Sequence, residues 1–327
     1  MVDINGYEIK SAFSGGEPLK AIYSLGEKVW PVSGPGPVPV DWGGLKFTVL
    51  EPGIIRMLHV GTNKTTTKPN LSYSKNGGSW VEWDYSQISV NEGDVVYFKG
   101  INYSIGSANR PDELYANNYS TFYSNCKFTA SGNIMSLLYG DDYEGKLILP
   151  AYCFYELFSY YSKLTSAYEL ELPANKLSFM CYFGIFLQCE YLTTAPKKLP
   201  ATTVPEYAYA SMFQGCTSLT TAPEIFANKL SENCFQQMFQ GCTSLNIAPE
   251  LYSNTLEAGC YNTMFRDCTK LNYIKANFLT EPGDYYTSYW LAGVSSTGTF
   301  VANPKAKWTD TIERGIDTVP AGWTITK

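Results

Sequence analysis

The sequence predicts a solenoid of short repeats, each turn built from one short helix and one short strand, following a small all-β domain. A segment of the form Phe, five residues, Leu recurs at steps of 26 to 28 residues, as FSYYSKL, FLQCEYL, FQGCTSL, FQGCTSL and FRDCTKL. Further columns keep the same phase, and alternating apolar runs broken by turn residues lie ahead of the first repeat. A fixed period of this length marks units that bury their apolar faces on one another.

The recurring phenylalanines are Phe158, Phe186, Phe213, Phe239 and Phe265, followed by Leu164, Leu192, Leu219, Leu245 and Leu271. One residue before each Phe stands Leu157, Ile185, Met212, Met238 or Met264, and four before it Phe154, Tyr182, Tyr209, Phe235 or Tyr261. Offsets of −4, −1 and 0 share one face of a helix, so each coil is expected to hold a short amphipathic helix. A short extended piece follows, LTTAP at Leu192 and Leu219, LNIAP at Leu245 and LNYIK at Leu271. One helix and one strand per ~26 residues is a coil of leucine-rich-repeat type. After Leu271 the pattern decays through Trp290, Leu291, Val294 and Phe300, which reads as a degenerate sixth coil and a cap.

Eight of the nine cysteines fall into two repeat columns. One holds Cys189, Cys216, Cys242 and Cys268, with Tyr161 in the first coil; the other holds Cys153, Cys181, Cys234 and Cys260, with Ala208 in the gap. Columns that tolerate Ala and Tyr are packing positions, so reduced, metal-free thiols are expected. No CxxC pair is present to suggest zinc or redox chemistry.

The predicted organisation has five parts. Residues 1–31 form a short β-hairpin anchoring segment, too small to be stable alone. Residues 32–41 form a Pro/Gly linker, since Pro31 to Val40 holds four prolines and two glycines in ten residues. Residues 42–129 form the sandwich-like β domain, from the runs LKFTVL, IIRMLHV, LSYSKNGGSWVEW and DVVYFKG. Residues 130–280 form the solenoid with its N-terminal cap, and residues 281–327 the degenerate coil and C-terminal cap.

The net charge of −6, with no basic run, removes the electrostatic term that dominates nucleic-acid affinity, so no nucleic-acid partner is expected. No apolar stretch is long enough to span a membrane. The opening MVDINGYEIKSAF lacks the basic and apolar regions of a secretory signal, so export by that route is not expected.

The repeat columns and the tail resemble the BspA-like leucine-rich-repeat family of gut anaerobes. The matching pieces are the tandem MFQGCTSL units at Met212 and Met238, LPATT at Leu199, GNIMSLLYGDD at Gly132, GTFV at Gly298 and PAGWTI at Pro320, covering about residues 126 to 327. Members are surface adhesins that bind host proteins, and similar arrays occur in phage and prophage structural proteins. EPLKAIYSLGEKVWP resembles segments that open phage virion proteins. The resemblance implies a non-enzymatic binding protein, either a virion tail or decoration component or a bacterial surface adhesin. Its expected location is the virion or the extracellular space, with a bacterial cell surface as the alternative. Its expected partners are other assembly proteins, reached through the N-terminal segment, a protein or glycan on a cell surface, and further copies of itself.

If a ligand binds, the geometry of a solenoid points to the strand face, where residues not used by the core recur coil after coil. The candidates are Thr193, Thr194, Thr220, Thr221, Asn246, Ile247, Asn272 and Tyr273. The same Thr and Asn residues also suit a solvated parallel ladder. Catalytic candidates are few. His59 sits in an alternating apolar run and reads as a strand residue. Asp141, Asp142 and Glu144 suit a turn as well as a calcium loop, and Glu169 with Glu171 is a carboxylate pair of ordinary frequency. No catalytic residue, metal or cofactor is expected.

Overall fold

A computed structural model describes residues 42–61, 68–106 and 118–327, together with the backbone of short strands within the first thirty residues. Those strands form three antiparallel pairs, Val2–Ile4 with Tyr7–Ile9, Phe13–Ser14 with Glu17–Pro18, and Ile22–Ser24 with Glu27–Trp30. The Pro/Gly linker lies outside the described residues.

From Trp42 onward two sheets pack face to face. One runs in the order Val81–Glu82, Leu71–Lys75, Val95–Gly100, Lys46–Val49, Phe128–Asn133, Leu164–Ser166. The other runs Ile88–Val90, Gly53–Gly61, Asn118–Ser124. Phe47 and Phe98 of the first sheet meet Phe122 of the second at 4.9 and 5.1 Å between ring centres.

Both sheets continue into the repeats. Strand Phe128–Asn133 is antiparallel to Lys46–Val49 on one side and parallel to Leu164–Ser166 and Leu170–Glu171 on the other. On the opposite face, the N–H groups of Phe122 and Ser124 donate to the carbonyls of Leu157 and Tyr161 in the first coil. One apolar core therefore runs unbroken from Trp42 to Trp323.

The repeats form a β-solenoid of about five turns. The helix expected in each coil is not what folds there. From Cys181 to Cys189 every second N–H donates three residues back, to Ser178, Met180, Tyr182, Gly184 and Phe186, at 2.8 to 3.3 Å. The N–H groups between them cross to the next coil, from Tyr182, Gly184, Phe186 and Gln188 to Ala208, Ala210, Met212 and Gln214, at 2.7 to 3.1 Å. The backbone takes positive φ at every fourth residue, at Met180, Gly184 and Gln188, then Tyr207, Ser211 and Gly215, then Asn233, Gln237 and Gly241. An α-helix has neither positive φ nor hydrogen bonds to a neighbouring segment. This edge of each coil is a run of overlapping β-turns laddered to the next coil, and the only α-helices among the described residues are Ser136–Tyr139 and Asp284–Thr287.

The turn ladder imitates a helix in sequence because it points two residues in and two out. In the fourth coil Cys234, Phe235, Met238, Phe239 and Cys242 are buried, while Gln236, Gln237, Gln240 and Gly241 are partly exposed. A period of four drifts from the helical 3.6 by about 0.8 residue over two turns, too little to separate the two patterns. Positive φ at a non-glycine residue costs on the order of 1–3 kcal/mol, so the run persists only where inter-coil hydrogen bonds hold it.

The expected ladders are present. Phe158, Phe186, Phe213, Phe239 and Phe265 stack within 10° of parallel at 5.3 to 5.6 Å between centres. Phe154, Tyr182, Tyr209, Phe235 and Tyr261 form a second stack at 5.6 to 6.0 Å. Both end on Trp290 of the degenerate coil, whose indole N–H donates to Thr318 O at 2.7 Å. Beneath it, strands Tyr273–Ala276, Gly298–Ala302 and Trp323–Thr326 form a parallel sheet.

All nine cysteines are free and buried. The thiols of Cys189, Cys216, Cys242 and Cys268 donate to the carbonyl oxygens of Phe158, Phe186, Phe213 and Phe239, one coil back, at 2.9 to 3.1 Å. Burial pushes their pKa values up, to about 12 for Cys189 and Cys268. They are small core residues with one weak donor each, not nucleophiles.

Candidate ligand-binding face

After each conserved-phase leucine the chain points two residues outward before turning back to the core. Leu192 and Ala195 are buried while Thr193 is exposed and Thr194 half-buried, and Leu245 and Ala248 are buried while Asn246 and Ile247 are exposed. Isolated parallel bridges join Ser166 to Thr194, Thr194 to Thr221, and Ile247 to Tyr273. The eight sequence-predicted residues therefore lie along one face in two adjoining columns, Thr193, Thr220, Asn246, Asn272 and Thr194, Thr221, Ile247, Tyr273.

The two halves of this face differ chemically. Toward the N-terminal end most hydroxyls are taken up by the fold, Thr221 being the exception: Thr193 Oγ1 donates to Thr165 O at 2.9 Å and Thr220 Oγ1 to Thr193 O at 3.1 Å. Ser166 Oγ and Thr194 Oγ1 lie 2.6 Å apart. These hydroxyls link neighbouring coils of the ladder. Toward the C-terminal end, the exposed side-chain amides of Asn246 and Asn272 have no hydrogen-bond partner among the described residues, although their backbones pair through Asn272 N–H to Asn246 O at 3.1 Å. Beside them stand Ile247, 54% exposed, and Tyr273. Two free amides flanked by an aliphatic and an aromatic side chain give one patch with both directional and apolar contacts.

Two surface features escaped the sequence reading. A shallow cleft on the first two coils is lined by Tyr168, Glu169, Glu171, Pro173, Lys197 and Lys198. Two of its four charges satisfy each other, since Lys197 Nζ lies 2.7 Å from Glu169 and 4.7 Å from the centre of the Tyr168 ring. The Glu169 hydrogen bond holds the Lys197 pKa above its ordinary value. Farther along, the exposed rings of Phe226 and Tyr252 stack at 6.5 Å. Aligning the residues that follow each strand would have revealed the second feature, because Phe226 and Tyr252 are one repeat apart.

The titratable candidates are absorbed by the structure. His59 Nδ1 lies 2.9 Å from Ser120 Oγ across the pair of strands Gly53–Gly61 and Asn118–Ser124, and burial, then Lys68, lowers its pKa. Lys99 binds both oxygens of Asp141 at 2.9 Å. Among the described residues no three His, Cys, Asp or Glu groups converge as a metal site, and no helix is long and apolar enough to cross a membrane.

One carboxyl does lie in the interior. Glu156 occupies a positive-φ position of the first coil and is 7% exposed. Burial raises its pKa above the ordinary 4.5, against the opposing pull of hydrogen bonds from Tyr119, Tyr155 and Ser159. A carboxyl whose folded pKa is raised favours the fold most when protonated, and that contribution is lost as pH rises through the folded value. Melting temperature is therefore expected to fall from pH 4.5 toward neutrality through this group, and Glu156→Gln to flatten that part of the profile. Equal slopes for wild type and variant in a pH series of thermal melts would refute the assignment.

In comparisons with protein-family models, curated proteins and solved structures, nothing matches this chain.

Proposed function

We propose that the chain is a non-enzymatic structural and binding protein, a phage or prophage virion component of tail or decoration type, that displays its solenoid to a protein or glycan on a host surface. The likeness of its repeat columns to BspA-like leucine-rich repeats supports this reading, with turn ladders in place of that class's helices. So does the succession of N-terminal hairpins, proline-rich spacer and repeat domain, which suits a body held away from an anchoring assembly.

The observation that carries the proposal is the patch formed by Asn246, Ile247, Asn272 and Tyr273, where unpaired amides and apolar side chains adjoin on a rigid ladder. Such a site binds without ordering loops first, which lowers the entropic cost of association. The full-length protein is tested on arrays of bacterial surface glycans and surface proteins. A triple variant, Asn246→Ala, Asn272→Ala and Tyr273→Ala, is expected to lose at least about tenfold in affinity, corresponding to roughly 1.4 kcal/mol. Thr193→Ala, in the self-satisfied half, is expected to bind as wild type. Undiminished binding by the triple variant would remove this patch as the site.

A further inference from the structure

Beyond the threonine columns each coil has a second extended segment, and its outward side chains also fall into columns. Lys198–Leu199 runs parallel to Glu224–Ile225 with Lys198 opposite Glu224, and farther along Leu251 bridges Ala276. In this phase Glu224, Glu250 and Lys275 form one outward column and Phe226 and Tyr252 the next. Ile225, Ala227, Leu251 and Ser253 on either side of the rings are buried, so the rings point away from the core. The rings are 41% and 42% exposed, 10° from parallel and 6.5 Å apart.

The polar groups beside the rings are held in place. Lys275 Nζ lies 2.9 Å from Glu250 Oε1, and Asn277 Nδ2 donates to the same oxygen at 3.2 Å. Burial, and then the neighbouring Glu250 carboxylate, raise the Tyr252 pKa above its ordinary value. A carboxylate accepts about four hydrogen bonds, so Glu250 keeps room for further donors. The cleft on the first two coils belongs to the same two columns: Pro173 follows Glu171 by two residues, as Phe226 follows Glu224 and Tyr252 follows Glu250. Its volume of about 360 Å³ is enough for a small ligand. Glu171 and Lys198, which line it, take part in no ion pair among the described residues.

We infer that this face is a second binding site, for a linear neutral oligosaccharide lying lengthwise across the coils. A pyranose ring has an apolar face of C–H groups that packs on an exposed aromatic ring, and hydroxyls that are each both donor and acceptor. Phe226 and Tyr252 supply the first kind of contact; Glu224, Glu250 and Lys275 supply fixed acceptors and a donor for the second. The charges along the column are of mixed sign, so neither a polyanion nor a polycation is drawn to the whole row. An extended peptide finds no strand to join, because the backbone here is already paired. The N–H groups of Glu224 and Phe226 donate to Lys197 O and Leu199 O, and those of Leu251 and Asn277 to Lys275 O and Leu251 O. The inference uses no residue of the Asn246 to Tyr273 patch, and either site can fail without the other.

Calorimetric titration of the full-length protein with neutral β-linked hexasaccharides of glucose, mannose and xylose decides it, with hexagalacturonate as the anionic comparison. Wild type is expected to bind at least one neutral hexasaccharide, and more tightly than the anionic one. The double variant Phe226→Ala, Tyr252→Ala is expected to weaken that binding at least about tenfold. Its melting temperature should stay at the wild-type value, since both rings are exposed. The variant Asn246→Ala, Asn272→Ala, Tyr273→Ala is expected to bind the same hexasaccharide as wild type does. Loss of binding in that variant alone would assign the sugar to the other patch and overturn the inference. So would a wild type that binds no neutral hexasaccharide or prefers hexagalacturonate, or a Phe226 and Tyr252 variant with undiminished affinity.

Discussion

Replacing Phe213 by alanine is expected to lower the unfolding free energy by roughly 3–5 kcal/mol, the range for an aromatic side chain removed from a core that collapses only in part. Phe213 is fully buried and lies 5.3 Å from the ring of Phe186 and 5.4 Å from that of Phe239, almost parallel to both. The two flanking coils are fixed to its own by the N–H of Phe213 donating to Met238 O and that of Phe186 to Met212 O. They cannot close on the gap without breaking those ladders. Phe226→Ala serves as the control, because that ring is 41% exposed and leaves no cavity. Urea unfolding of the two variants should separate them clearly; a loss below about 1 kcal/mol for Phe213→Ala would mean that the ring column is not the core.

The second large effect is expected at the junction between the β domain and the repeats. Gly132 has φ of +77°, and a Cβ placed on it would stand 2.1 Å from the carbonyl oxygen of Gly44 and 2.8 Å from that of Gly43. Both obstacles are backbone, so no side chain can swing away. The same residue is fastened to the first coil by its N–H, which donates to Glu169 O at 2.9 Å. Gly132→Ala is expected to cost about 2–5 kcal/mol, combining left-handed backbone strain with overpacking. Gly145→Ala isolates the first effect, since its φ of +69° is similar but nothing lies within 4 Å of the added methyl. Its cost should be about 1 kcal/mol. Equal losses for the two variants would show that the close approach of residues 43 and 44 does not constrain the junction.

How far the sequence foretold this molecule depends on which physical signal each element leaves. The Phe, Leu and Cys columns were legible because stacking forces the same side-chain volume at the same phase in every coil. The role of the thiols was only half legible: columns that accept Ala208 and Tyr161 showed packing positions, but not that Cys216 donates to Phe186 O. The helix expected around Phe213 was misread, because Tyr209, Met212 and Phe213 satisfy a helical face and a two-in, two-out turn ladder equally. Ser211 and Gln237 at positive φ leave no trace in composition, since glycine marks only some of those positions, such as Gly215 and Gly241. The outward face was readable as a column. Its division was not, because whether Thr193 is occupied and Asn246 is free depends on hydrogen bonds to a neighbouring coil. The cleft at Tyr168 was beyond reach for the same reason, as its walls come from residues some thirty apart in sequence.

The central claim is that each coil is a turn ladder closed by a parallel strand ladder, with no helix between Phe columns. Backbone chemical shifts and three-bond amide couplings at Ser211, Gln237 and Thr263 test it most directly in deuterated full-length protein. The account predicts positive φ at all three, near the 55°, 59° and 51° of the structure. Helical values, near −63° and continuous from residue 233 to 240, would contradict it.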